Sequence, residues 1–327
     1  MSGCGVTSAP GAPQSRMSPT PTVSVSIPPS PTPLYGQQQP GQPWRTSGHT
    51  PHPVKHEPYV DQLLNEGVLP WPVDEDGVRL YEKDGKRYYH PVAITQYALA
   101  KLDVATRTND ADAMDAAVAN AAKLLDVADS HDGGLYFPYR FGFPLGGQVK
   151  ETIHAPWWSA MAQGQALSLF VRLYQATGKQ SWRDAADRTF ATMDDRGPRE
   201  EPWTVYVDPQ DYLWFEEYAG DTRPLLVLNG HMFAIFGVWD YYRLTGAAKA
   251  EELFDAGVTT LREYLPVYRV PGDVSYYCLR APFCPRELWQ NKKYHGIVID
   301  QMRVIADMSD DQWFNRQADV FTDDFAG

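Results

Sequence analysis

Three helix pairs recur along this chain at nearly constant spacing, and that period restricts the fold more than any other feature. The first pair reads HPVAITQYALAKLDVATRTND, then ADAMDAAVANAAKLLDVAD. The second reads WWSAMAQGQALSLFVRLYQATGK, then QSWRDAADRTFATMDD, and the third LNGHMFAIFGVWDYYRLTG, then AAKAEELFDAGVTTLREYL. In each, the first helix runs to a Thr-Asn or Thr-Gly, at Asn109, Gly178 and Gly246, residues that suit a left-handed cap. The caps fall 69 and 68 residues apart. The second helices carry apolar residues three and four apart: Trp182, Ala186, Phe190 and Met193 in one, Phe254, Val258, Leu261 and Leu265 in another. An aromatic segment broken by Gly and Pro follows each pair: HDGGLYFPYRFGFP, RGPREEPWTVYVDPQDYLWFEEYAG and VYRVPGDVSYYCLRAPFCP. These read as short strands or hairpins, and a last helix is expected near 295–307. Helix hairpins repeated with connecting loops at one end predict a mainly α protein, a solenoid or a closed (α/α) toroid with short β-hairpins in the loops at that end. In a toroid the inner helices are the more apolar, and loops at one end build a cleft. The three aromatic segments then share one face.

Ahead of the repeat, residues 1–55 are rich in Pro, Ser, Thr and Gln and poor in large apolar side chains. Such a stretch buries too little surface to offset its ordering entropy and is expected to be a disordered tether. Residues 56–327 are left as the folded domain. Apolar residues make up 43% of the 327 and charged residues 21%, so a large soluble core is within reach. The net charge of -12 argues against nucleic-acid binding, which wants a basic footprint. An anionic substrate still fits if a local basic patch exists. No run of 18 apolar residues suggests a membrane span, and no signal h-region is present. The opening MSGC resembles the end of a bacterial lipoprotein cleavage site. With a start further upstream, Cys4 is the expected lipidated residue on a secreted or surface-anchored protein; otherwise a cytoplasmic one is expected. Cys278 and Cys284, six apart, could pair, but two ordinary thiols are the plainer expectation.

Two stretches stand out chemically. In DYLWFEEYAGD, Glu216 and Glu217 sit among Tyr212, Trp214, Phe215 and Tyr218, rings that offer apolar area to sugar faces. Neighbours in a regular strand point to opposite sides, so only one Glu faces a pocket unless the backbone kinks at Ala219-Gly220. The bland alternative is a solvated acidic strand end. In SYYCLRAPFCPRELWQNKKYHG, Arg280, Arg286, Lys292, Lys293 and His295 face a single acid, Glu287. This basic island reads as a carboxylate- or sulfate-binding wall, with Arg280 suited to bidentate contact, or as a surface loop. His90, His154, His231 and His295 are dispersed and show no metal-ligand spacing. Gly-rich phosphate loops and nucleophile elbows are missing, and no cofactor is expected. Gln163, Gln165 and Asn229 lie on first-of-pair helices, where they reach sugar hydroxyls or merely bridge helices. Arg140 is a further candidate for a carboxylate contact.

The runs WWSAMAQGQALSLFVRLYQATGK, FEEYAG, LNGHMFAIFGVWDYY, YYCLR and YHGIVIDQMRVIA together resemble, in order, the C-terminal catalytic domain of the D-glucuronyl C5-epimerases. The resemblance runs from about His90 to near the end of the chain and implies an (α/α) toroid. It implies conversion of D-glucuronate to L-iduronate within heparosan-type chains. The Glu and Tyr of the family's Glu-Glu-Tyr motif fall on Glu217 and Tyr218. Its Tyr-x-Leu-Arg motif falls on Tyr277 and Arg280, and its Tyr-His pair on Tyr294 and His295, the tyrosine being implicated as an acid/base. After that pair the family has Thr-Thr-His where this chain has Gly296-Ile297-Val298. Animal members also carry β-rich domains ahead of the toroid, and their substrate contacts do not carry over.

The chemistry implied matches these residue types. Removing a uronate C5 proton builds charge on an existing carboxylate, so a donor-rich contact is needed there. Arg280 is the expected contact, with Tyr277 or His295 helping. Inversion also needs acid/base groups on both faces of the ring, each worth roughly 10²–10⁴-fold, and Glu217 with Tyr294 is the expected pair. The expected partner is an anionic glucuronate-containing polysaccharide, and a homodimer is left open. A uronan lyase or glycoside hydrolase on the same toroid is one rival reading; a non-catalytic polysaccharide-binding protein is another.

Overall fold

Four helix hairpins form an arc. The computed structural model describes residues 43–54, 58–59, 70–147, 149–199, 202–280, 284 and 290–325. Within them α1 (Pro91–Thr108) pairs with α2 (Ala111–Val127), and α3 (Ala160–Thr177) with α4 (Gln180–Phe190). The other two hairpins are α5 (Leu228–Thr245) with α6 (Ala248–Tyr268) and α7 (Lys292–Ser309) with α8 (Gln312–Phe325). The first members pack in a row, α1 on α3, α3 on α5 and α5 on α7. Each hairpin returns the chain to the face it left, so these inner helices run parallel. This is the (α/α) toroid architecture expected.

The helix ends explain the period. Asn109, Gly178 and Gly246 take φ of 57, 67 and 65° as left-handed caps. A fourth cap, Asp310 at φ 52°, turns α7 into α8. The expected final helix therefore extends to Ser309 and is not the last. Asp310 hid this hairpin because the cap is neither Gly nor Asn, although a short polar side chain tolerates the left-handed region. At the other end, His90, Ser159 and Asn291 cap α1, α3 and α7 with side-chain acceptors.

Inner helices α3 and α5 touch backbone to backbone. A Cβ on Gly237 would stand 2.1 Å from the Gly164 carbonyl oxygen, and one on Gly164 would stand 2.5 Å from Ala234 Cα. Both helices are buried along most of their length, in one core with Phe170, Phe236, Phe254 and Phe314.

Short strands occupy the loops. β1 (Tyr81–Lys83) and β2 (Lys86–Tyr88) form a hairpin before α1. β3 (Asp129–His131) pairs with β4 (Gly134–Tyr136), and β5 (Phe143–Pro144) with β6 (Thr152–Ile153). After α4, β7 (Arg196–Gly197) runs parallel to β8 (Val205–Val207), which is antiparallel to β9 (Leu213–Phe215). The third aromatic segment has only isolated bridges among its described residues, Val227 to Cys278 and Tyr276 to Gln290. There Cys278 and Cys284 are joined by a disulfide, which corrects the expectation of two thiols.

For residues 1–42 the expected tether lies outside the described residues. Residues 43–54 lie against the domain instead, so the folded unit begins before residue 56. Trp44 is buried. The backbone N–H groups of Ser47, Gly48 and His49 donate to the Asp255 carboxylate, and Trp239 Nε1 donates to the His52 carbonyl. The surrounding Pro and Ser masked these anchors.

Candidate active site

A cleft of about 660 Å³ opens where the inner helices begin, within the range of roughly 300–1,000 Å³ usual for ligand pockets. Its wall is a run of stacked rings. Tyr139 lies 3.7 Å from Trp157 between ring centres, Trp157 lies 5.5 Å from Tyr218, and Tyr218 lies 6.1 Å from Phe143.

Local hydrogen bonding aims the acidic pair. Strand β9 stops at Phe215, whose N–H donates to His231 Nδ1 at 2.9 Å; Nε2 of that ring donates to the Gly257 carbonyl. Glu216 is fully buried and folds back on its own loop. Its carboxylate accepts from Tyr218 N–H and Leu226 N–H, both at 3.1 Å. That turn brings Glu217 and Tyr218 onto the cleft together, which a continued strand would forbid. Gly220, expected to supply the bend, instead permits close packing. A Cβ there would meet Ile153 Cδ1 at 2.8 Å and Trp157 Cβ at 3.0 Å.

Three tyrosines converge on Glu217. Tyr277 Oη donates to Glu217 Oε1 at 2.8 Å and lies 3.2 Å from Tyr218 Oη. Because the Tyr277 proton is committed to Glu217, Tyr218 is the donor in the second contact. The Tyr294 ring lies 5.0 Å from that of Tyr277 and is 37% exposed on the cleft. Glu217 Oε2 is buried and has no hydrogen-bond partner among the described residues. An orphaned carboxylate oxygen is costly, and such atoms concentrate at functional sites. Burial, reinforced by Glu216, pushes the Glu217 pKa up to about 7 against the hydrogen bonds that lower it. Burial and then the Glu217 charge raise Tyr218, Tyr277 and Tyr294, so all three hold their protons at neutral pH.

Asn229 also lines the cleft. The other expected contacts are not among the residues lining the cleft. Arg280 is 3% exposed and off the cleft wall, donating to Glu151 at 2.5 Å and to the Arg223 carbonyl at 3.1 Å. His295 accepts the Ser275 N–H at Nδ1 and donates from Nε2 to the Phe321 carbonyl, tying α7 to α8. The Gln163 amide donates to the Leu135 carbonyl and Thr192 Oγ1 and accepts from Phe137 N–H. Gln165 is buried within α3, and Arg140 pairs with Asp129 at the surface. A side chain able to hold a sugar is equally able to satisfy backbone, and residue type alone does not separate the two.

Among the described residues, the lysine and arginine side chains that line the cleft are Lys292 and Lys293, from the basic island that also contains Arg280; Arg286 lies outside the described residues. Sequence reasoning passed over His90, Gln96 and Asp300 on the cleft wall. His90 accepts the Ala93 N–H at Nδ1, which leaves its neutral-form proton on Nε2. Burial and then the Arg79 charge lower its pKa to about 3. The one available signal was its place as cap of the first repeated helix. Among the described residues no group of three or more His, Cys, Asp or Glu is placed to hold a metal ion, and no helix is long and apolar enough to cross a membrane.

Known proteins bear on this geometry. An uncharacterized protein of Methanocaldococcus jannaschii is 29% identical over 177 residues, 53% of either chain. The D-glucuronyl C5-epimerase of Caenorhabditis elegans is 29% identical over 192 residues, 52% of this chain and 29% of that protein. The chain thus spans about half or less of these relatives. A sugar epimerase from a ruminal bacterium superposes with a TM-score of 0.57 at 11% identity, covering 80% of this chain and 66% of that one. Cellobiose 2-epimerase of Bacillus thermoamylovorans gives 0.53 at 14%, covering 81% and 71%. At such identities these structures establish the toroid alone. Residues 131–323 match the family described as D-glucuronyl C5-epimerase C-terminus, so this chain belongs to that family.

Proposed function

We propose that the protein is a polysaccharide D-glucuronyl C5-epimerase whose base is Glu217. The observation that carries this reading is the Glu217 carboxyl on the cleft wall, with a pKa near 7, one oxygen held by Tyr277 and the other without a partner among the described residues. A carboxylate so desolvated is a stronger base than an exposed one. The C5–H bond breaks, the proton passes to Glu217, and the electron pair delocalises into the uronate carboxylate. Lys292 and Lys293, rather than Arg280, offer charge to that dianion at the cleft. Tyr294 donates its phenolic proton to C5 from the opposite face, giving L-iduronate. Solvent at the open cleft then takes the proton from Glu217 and returns one to Tyr294, which is 37% exposed, and the cycle closes. Lys292, Lys293 and Asp300 are exposed while Glu217 is flanked by buried rings, a layout that suits a chain passing across the site.

Incubation with glucuronate polymers in D₂O, followed by NMR at C5, tests the proposal. Deuterium incorporation with new iduronate signals is expected. Glu217→Gln and Tyr294→Phe should each lose most turnover while still binding polymer; near-normal exchange in both overturns the assignment. Ultraviolet absorbance from an unsaturated product would instead identify a lyase.

A further inference from the structure

The cleft has two flanks. α1 and α7 are the two ends of the row of inner helices, and both begin at the cleft, so their first residues stand at one level on its two sides. On the α7 flank these are Lys292, Lys293 and Tyr294. Glu217 packs on Gly230 of α5, between the flanks. On the α1 flank stands His90, the cap of that helix. Its imidazole is fixed in one tautomer and one orientation. Nδ1 faces the backbone and accepts Ala93 N–H at 3.2 Å, so the ring proton sits on Nε2, at the edge turned away from the helix. Tyr81 and Tyr139 pack around the ring, each 4.8 Å away between centres, with Phe141 at 5.9 Å. None of the described residues accepts the Nε2 proton. The buried Arg79 guanidinium donates to the carbonyl of the same Ala93 at 3.0 Å. Burial, and then that charge, hold the imidazole uncharged throughout the neutral range.

We propose that His90 is a substrate-binding residue whose Nε2–H donates to the C2 hydroxyl oxygen of the reacting uronate. This rests on the epimerase reading and deepens it by one contact at the same sugar. In a pyranose ring C2 lies directly across from C5. With the C5 carboxylate drawn to the lysines of α7, the C2 edge is carried toward α1 and His90. An uncharged donor suits that flank. It binds a neutral oxygen without competing with Lys292 and Lys293 for the carboxylate, so the sugar enters in one direction. A cation in its place would also favour the ionised form of Glu217 and weaken it as a base. Held at both edges, the ring cannot turn in its own plane, and C5 stays between Glu217 and Tyr294.

Titration with two probes, methyl β-D-glucuronide and its 2-deoxy analogue, tests this by NMR of the ¹⁵N-labelled imidazoles. The wild type should bind the glucuronide about fivefold more tightly than the 2-deoxy analogue, the effect of one uncharged hydrogen bond. The His90 Nε2 resonance should move on saturation with the glucuronide and stay in place with the analogue. His90→Asn keeps a helix-capping acceptor but presents no donor at the Nε2 position. It should bind the two probes alike, and its C5 exchange on polymer should fall by a similar factor at every pH from 5 to 9 with the acid limb unmoved. Equal wild-type affinities, no binding of the glucuronide, a preference retained in His90→Asn, or an Nε2 resonance unmoved at saturation overturns the contact. Should His90→Asn fail to fold, the two wild-type measurements decide. Exchange at C5 in D₂O on the wild-type samples is a separate readout. A 2-hydroxyl preference without exchange keeps the contact and removes the epimerase reading, whereas exchange without the preference does the reverse.

Discussion

Tyr277 Oη donates to Glu217 Oε1 across 2.8 Å, joining two loops sixty residues apart. Each partner is held from its own side. Glu217 follows Glu216, whose buried carboxylate is pinned by two backbone N–H groups. Tyr277 precedes Cys278, which is bonded to Cys284, and the Tyr277 carbonyl accepts from Leu228 N–H at the start of α5. On the function proposed, the base and its donor are thus positioned before a sugar arrives, which is what electrostatic preorganisation requires.

The first prediction concerns pH. If Glu217 must be ionised to take a proton, kcat/KM on a glucuronate polymer should rise with pH and level off above an apparent pKa of about 7. The Tyr277 hydrogen bond lowers that pKa, so Tyr277→Phe should move the acid limb upward as well as slow turnover. C5 exchange rates measured from pH 5 to 9 in both proteins check this; an unmoved limb would mean that the titrating group is not Glu217.

Stability should follow the same group with the opposite benefit. The Glu217 pKa is about 7 in the folded protein against an ordinary value of 4.5, so the folded state holds the proton more tightly between these values. Its ionisation therefore costs nothing below about pH 4.5 and its full penalty above about pH 7, on the order of 3 kcal/mol. Glu217→Gln keeps an acceptor for Tyr277 and removes that charge. Its thermal midpoint should exceed wild type by several degrees at pH 8 and converge with it near pH 4.5. An identical offset at both pH values would count against a buried, titrating Glu217.

Much of the helical frame was legible because its cause is local and periodic. Asn109, Gly178 and Gly246 are residues that accept a left-handed cap, and apolar spacing did the rest. The fourth hairpin escaped because Asp310 makes the same turn without the same residue type. β1 and β2 flank Asp84-Gly85, a strong short-range hairpin signal that was passed over. In the site, Glu217, Tyr218, Tyr277 and Tyr294 could be brought together by motif, but Arg280 could not be told from Lys292 or Lys293. That distinction depends on Glu151, 129 residues away, which takes the Arg280 guanidinium into the fold. Partner choice across such a separation has no signature in local sequence.

Loosening the Tyr277 loop gives a third prediction. Cys278→Ser with Cys284→Ser removes a cross-link over a short loop and should lower stability by about 2 kcal/mol. Turnover should fall further than stability explains, because the adjacent Tyr277 loses its fixed approach to Glu217. Comparing kcat of the double variant with wild type at a temperature where both are folded separates the effects; equal kcat would show that the disulfide serves the fold alone.

The last prediction tests how tightly the Glu217 carboxylate is housed. Gly230 lies in the first turn of α5, and a Cβ built there would stand 2.2 Å from Glu217 Oε2 and 2.9 Å from its Cβ. No rotamer choice at residue 230 relieves this, since the Cβ position is set by the backbone. Helix propensity favours Ala over Gly by about 1 kcal/mol at an ordinary helix site. Gly230→Ala should nevertheless cost turnover, because the Glu217 carboxylate must swing away from Tyr277. Expected together are a kcat reduced by at least about tenfold, the effect of losing a well-placed base, a folded circular dichroism spectrum, and a displaced acid limb in the pH profile. Wild-type kcat in a folded Gly230→Ala protein would mean that the carboxylate works from some other position than the one it occupies beside α5.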